Sequence, residues 1–142
     1  MDDLHGYYFE DLKEGQTASF GKTITESDIY TFAGVRGDLN PVHVNDEFAK
    51  TTMFKGRIAH GMIGASFISA VLGTKLPGPG CIYIKQELKF KAPVKLGDTL
   101  IAHVTIKKLI PEKKFVECET TCTVGDKKVI DGEALVMVPS RG

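Results

Sequence analysis

The stretch Gly37-Asp-Leu-Asn-Pro-Val-His-Val44 puts a carboxylate, a carboxamide and an imidazole close together, at Asp38, Asn40 and His43. An ionised carboxylate only accepts hydrogen bonds, whereas an imidazole accepts or donates near neutral pH. Such a pair suits addition of water to a double bond. One group takes a proton from the attacking water, and an acid delivers a proton to the neighbouring carbon. The same residue types also close ordinary turns, with Asp38 and Asn40 bonded to local backbone and His43 a satisfied structural ring. Residue types alone leave both possibilities open. Pro41 fixes its own φ and pushes Asn40 towards an extended conformation. Residues 42–44 are therefore expected to be a short extended piece, with Val42 and Val44 on one side and His43 on the other.

A second group of residues lies downstream. Residues 57–73 carry Ile58, Met62, Ile63, Phe67, Ile68, Val71 and Leu72 nearly all round a helical wheel, the pattern of a buried helix. With a start near residues 57–59, the Gly61 N–H falls in the first turn and lacks an intrahelical acceptor. Free N–H groups and the positive helix end suit a carbonyl oxygen that becomes an enolate, and glycine lets a ligand approach the backbone. Plain helix packing with a permissive glycine explains the same residues. Gly61, Ala65 and Ser69 stand four apart and form a line of small side chains.

The elements that must position these groups follow from local signals. Residues 15–25 read as a first strand. Thr25-Glu-Ser-Asp28 is a capping box, and the helix after it carries Ile29, Phe32, Ala33 and Val35 before ending near Gly37. Asn45 caps a short helix over residues 45–50. After Leu76-Pro-Gly-Pro-Gly80, residues 81–91 set Ile82, Ile84, Leu88 and Phe90 against Lys85, Lys89 and Lys91, with a break at Gln86 that reads as a bulge. Three more strands are expected near 99–109, 114–125 and 128–138, the last two joined at Gly125-Asp126. One strand, then helices with one buried, then four antiparallel strands fits an α+β sheet wrapped around a central helix, the hot-dog architecture, in a single domain over 1–142. An open sheet edge points to a homodimer or larger homo-oligomer.

Bulk properties narrow the function classes. The 142 residues carry 18 basic and 18 acidic side chains, so the formal charge gives no reason to expect nucleic acid as partner. No apolar run reaches the ~18 residues of a membrane span, and the first residues lack an apolar signal region. Cys81, Cys118 and Cys122 are odd in number and form no Cys-x-x-Cys pair, which argues against a disulfide framework or zinc and for a reduced, cytoplasmic protein. His43 and His60 are far apart in sequence, and no metal site is expected.

The run from Gly37 to Ser69, GDLNPVHVNDEFAKTTMFKGRIAHGMIGASFIS, resembles the hydratase-2 motif of the MaoC-like family: (R)-specific enoyl-CoA hydratases and related dehydratases on a hot-dog fold. Asp and His five apart, followed by Ile-Ala-His-Gly-Met, form a composite signature over about a quarter of the chain. By that resemblance Asp38 and His43 are a catalytic dyad that activates one water. The water adds syn and reversibly across a trans-2-enoyl thioester to give the (3R)-3-hydroxyacyl product. Gly61 donates its N–H to the thioester oxygen. Asn40 orders the loop, and Ser69 matches a motif serine counted with the active site, although it stands about 12 Å from Gly61 along a helix. His60 packs and bonds backbone. Coenzyme A or an acyl carrier protein carries the substrate, and no redox cofactor is needed.

Several weaker signals remain. Lys85, Lys89, Lys91 and Lys95 read first as a solvated sheet face and second as contacts to coenzyme A phosphates. Arg36 has the same two readings. Met53, Phe54, Met62 and Phe67 are the side chains considered for closing an acyl tunnel, and His5 and His103 have no evident chemistry. A hydroxyacyl-carrier-protein dehydratase uses the same dyad. A hot-dog thioesterase would place a carboxylate on the central helix, and residues 58–73 hold neither Asp nor Glu. A non-catalytic acyl-thioester-binding subunit is the reading from another class, disfavoured by an intact Asp38 and His43.

Overall fold

A computed structural model describes residues 1–142. After single 3-10 turns at Asp2–Leu4 and Phe9–Asp11, the elements are β1 (Thr17–Thr23), α1 (Glu26–Arg36), α2 (Pro41–Val44), α3 (Asp46–Lys50), α4 (Gly61–Thr74), β2 (Ile82–Phe90), β3 (Thr99–Ile110), β4 (Phe115–Val124) and β5 (Lys127–Met137). The strands form one antiparallel sheet in the order β1-β3-β4-β5-β2. The fold is α+β, of the hot-dog type expected.

The core lies between the sheet and α4. Alternate residues of β3 (Leu100, Ala102, Val104, Ile106) point inward, joined by Val116, Cys118 and Cys122 of β4 and Val136 of β5. Ile63, Ile68, Val71 and Leu72 of α4 meet them. A Cβ on Gly64 would overlap Ile130, so glycine lets the helix sit close on the sheet at that point.

Local signals set the ends of α1. The Thr25 hydroxyl accepts the Asp28 N–H at 3.1 Å, and the Asp28 carboxylate accepts the Thr25 N–H at 2.9 Å. Gly37 closes the helix at φ 76°, a left-handed position that glycine takes without a Cβ penalty.

Four expectations need correction. Residues 41–44 form one helical turn, not an extended piece. Asn40 is extended as expected, but its carboxamide caps the turn by accepting the Val42 N–H at 3.1 Å, and Pro41 sits at the first helical position, which its fixed φ suits. The central helix begins at Gly61, not at 57–59. Ile58 and Ala59 are extended because the Ala59 N–H bonds the Val94 carbonyl at 2.7 Å and Ile58 bridges Lys95. The bulge of β2 falls between Tyr83 and Lys85, not at Gln86. Gln86 instead turns under the sheet and donates to Thr120 Oγ1 at 2.9 Å. The face of α4 away from the sheet, with Met62, Ser66 and Ser69, is also open within one chain.

Candidate active site

Asp38 stands just after α1, and His43 lies in the single turn of α2. Asp38 Oδ1 accepts the Asn40 N–H at 3.3 Å, so Asn40 ties the loop at both ends of its own side chain and backbone. His43 is buried, and its Nδ1 donates to the Ile58 carbonyl at 2.7 Å. That bond fixes the tautomer: Nδ1 carries the proton, and neutral Nε2 presents a lone pair. Burial pushes the His43 pKa below its ordinary 6.5; the Ile58 bond and the Asp38 charge oppose that, while His60 and Arg36 add to it.

His60 comes from the other side as the residue before α4. Its Nε2 donates to the Asp38 carbonyl at 2.9 Å. Its ring stacks on His43 with centroids 3.9 Å apart and a 27° tilt, and packs against Phe32 at 5.2 Å. Asp38, His43 and His60 each offer one side-chain atom, all within 4.8 Å of one another. The sequence separates the two histidines; the fold unites them. The trio has the composition of a metal site, but its geometry is poor for one. Planes tilted by 27° and stacked at 3.9 Å meet roughly 8 Å from the rings, whereas a metal in both planes lies about 3 Å from each centre.

Arg57 holds the surrounding elements. Its side chain is only 7% exposed, with Nη2 bonding Glu26 of α1 at 2.7 Å and Nε bonding Asp46 of α3 at 2.6 Å. Nothing local in the sequence marks this role, because the partners stand 31 and 11 positions away.

Gly61 is the first residue of α4, so its N–H has no acceptor within the helix. A Cβ there would lie 2.9 Å from Phe90 Cδ1, which leaves room for hydrogen only. Beside it is a cavity of about 430 Å³ whose lining includes His43, Met53, Phe54, His60, Gly61 and Phe90. Ser69 is not brought to this cavity. It lines a groove of about 790 Å³ on the other side of Phe90, with Phe32, Arg36, Met62, Tyr83 and Leu88. Phe67 packs edge-on against Phe20 instead. Lys85 pairs with Glu87 at 3.3 Å and Lys91 with Asp131 at 3.8 Å. His103 bonds Ser19 and Thr123, and His5 stacks on Tyr8, both outside the site.

A carboxylate oxygen of Asp38 and a ring nitrogen of His43 thus lie within 4.8 Å of each other, and His43 shares a cavity with the free N–H end of α4, an arrangement suited to moving a proton next to a polarised carbonyl. Known proteins resemble the chain over nearly its whole length. The chain is 67% identical over 141 residues to an (R)-specific enoyl-CoA hydratase of Rhodospirillum rubrum, covering 99% of this chain and 98% of that one. It is 50% identical over 141 residues to a 3-hydroxybutyryl-CoA dehydratase of Methylorubrum extorquens, covering 99% and 90%. The unliganded R-hydratase PhaJ1 from Pseudomonas aeruginosa superposes with a TM-score of 0.91 at 44% identity, over 96% of this chain and 88% of that one. The family described as MaoC like domain matches residues 10–130, which include the whole Asp38–Gly61 site, and the chain belongs to that family.

Proposed function

We infer that the protein is an (R)-specific enoyl-CoA hydratase, adding water reversibly to a trans-2-enoyl-CoA to give the (3R)-3-hydroxyacyl-CoA. The observation that carries this is the approach of Asp38 and His43 within 4.8 Å of each other, with the N-terminus of α4 alongside. That upper limit leaves room for one water donating to both groups, since two hydrogen bonds of about 2.8 Å meeting at a water span roughly 4.5 Å. The water oxygen attacks C3 of the enoyl group and passes a proton to the dyad. The π electrons move towards the thioester oxygen, which the Gly61 N–H stabilises. The dyad then returns a proton to C2. Hydrogen and hydroxyl arrive from one face, so the addition is syn, and the C–S bond stays intact. In this scheme Asn40 orders the loop, and Ser69 supports the groove, not the reacting atoms.

The groove beyond Phe90 and the exposed edge strand β2 fit a second copy of the chain as partner. Three free cysteines, two of them buried, fit a reducing compartment such as the cytoplasm. No helix is long and apolar enough to cross a membrane.

The test follows the conjugated enoyl-thioester absorbance of crotonyl-CoA with purified protein, with free thiol monitored in parallel. Loss of the band without thiol, and a (3R) product on chiral analysis, is the expected result. Thiol release would make the protein a thioesterase. Turnover only of carrier-protein thioesters would make it a carrier-protein dehydratase.

A further inference from the structure

We propose that His60 is a positioning residue of the hydration site, holding Asp38 by its backbone and His43 by its ring so that the two groups face one water. The inference rests on the hydratase function proposed for Asp38 and His43 and names a further residue on which that site depends.

His60 is 2% exposed, and its Nδ1 is a buried atom without a hydrogen-bond partner. Such an atom is uncommon in a folded core and calls for a reason. Two contacts supply one. Nε2–H donates to the Asp38 carbonyl at 2.9 Å, and the ring lies face to face with His43 at 3.9 Å, with Phe32 packed against it at 5.2 Å. Glutamine could make the first contact without a ring, and phenylalanine the second without a donor. Histidine makes both, and its second nitrogen is then left over. His60 is also the residue before Gly61, so one side chain links the dyad to the helix end that carries the carbonyl donor.

The stack has an electrostatic side as well. An imidazole at this distance opposes protonation of His43. The groups that face His43 are the Ile58 carbonyl and Asp38, which favour its charged form, and His60 and Arg36, which disfavour it. His60 thus helps keep His43 neutral, with its Nε2 lone pair available.

Two variants separate the contacts. His60→Gln keeps a donor towards Asp38 and loses the stack; His60→Phe keeps the stack and loses the donor. Both are expected to lower kcat by about 10–100-fold, as small misplacements of reacting groups do, with KM changed less than about threefold. In His60→Gln the acid limb of the pH–rate profile moves to higher pH, because His43 loses a neighbour that opposes its protonation. Folding is checked by thermal melting. If either folded variant keeps wild-type kcat, or loses only substrate affinity, the positioning role is wrong.

Imidazole nitrogen NMR on the wild-type protein decides the matter even if both variants fail to fold. The expected spectrum has a proton on His60 Nε2, as the bond to the Asp38 carbonyl requires. A proton on Nδ1 alone would remove the bond to Asp38 and overturn the proposal. This readout needs no turnover, so it separates failure of the His60 inference from failure of the hydratase assignment, which would appear as a wild-type protein inert towards crotonyl-CoA.

Discussion

His43 enters the site with one nitrogen already committed. The bond from Nδ1 to the Ile58 carbonyl leaves Nε2 as the only atom able to take a proton from water, and only in the neutral ring. Its folded pKa lies below the ordinary 6.5, chiefly through burial. Well above pH 6.5 the ring is neutral whether the chain is folded or not, and the site is competent. As pH falls, the unfolded chain takes up the proton first, so stability declines from about 6.5 downwards until the folded ring also protonates. Hydration, measured as kcat/KM on crotonyl-CoA, should therefore show an acid limb centred below pH 6.5 and level off above it. A limb centred above 6.5 would contradict a neutral buried base. Asp38 is tested by Asp38→Asn. The carboxamide oxygen still accepts the Asn40 N–H, so the fold should melt within a few degrees of wild type. Loss of the charge should lower kcat by roughly 100-fold or more. Wild-type turnover by this variant would remove Asp38 from the mechanism.

At the scale of elements, the ends fixed by near neighbours in sequence could be read from the chain. Thr25 with Asp28, Gly37, Asn45 and the Gly125-Asp126 turn each act within a few residues, and each stands where expected. The start of α4 could not be read, because Ile58 and Ala59 are as apolar as the helix after them, and a carbonyl of Val94 holds them extended. The turn of α2 was hidden because proline suits both an extended run and a first helical position. Asp38 and His43 could be named from their spacing, while the approach of His60 depends on chain closure 22 residues away. Arg57 is the least visible part. It joins α1 to α3 across the loop that bears the dyad, and its partners Glu26 and Asp46 are themselves mostly exposed. In Arg57→Met both carboxylates regain water, so the cost should be moderate, about 1–2 kcal/mol by denaturant unfolding. Activity should fall more than the unfolded fraction explains, since α1 and α3 are freed on either side of Asp38. A loss of stability with unchanged kcat would confine Arg57 to the scaffold.

At the scale of the whole molecule, one chain leaves too much apolar surface open. β2 lies at the sheet edge, and its Ile82, Tyr83, Ile84 and Phe90 are all more than 40% exposed. Beside them Met62 of α4 is 42% exposed, and the groove between helix and strand is lined mainly by apolar side chains. A contiguous apolar face next to unpaired backbone N–H and C=O groups is an association surface. β1, the other edge, is different, with Lys22 engaged by Asp28 and Lys75 reaching the Ser19 carbonyl. Pairing of β2 with β2 of a second copy is isologous, so it closes at a dimer without leaving a free edge of the same kind. Sedimentation at micromolar concentration should therefore show a dimer or a larger assembly built from it. Ile84 lies at the β2 bulge and lines the groove between helix and strand. Ile84→Lys would put a charged ammonium group into that apolar contact, weakening association by about 100-fold or more while leaving the chain's own core untouched. A folded monomer is the expected product. If the variant stays dimeric at wild-type concentrations, the subunits meet elsewhere and the open face of α4 has another occupant.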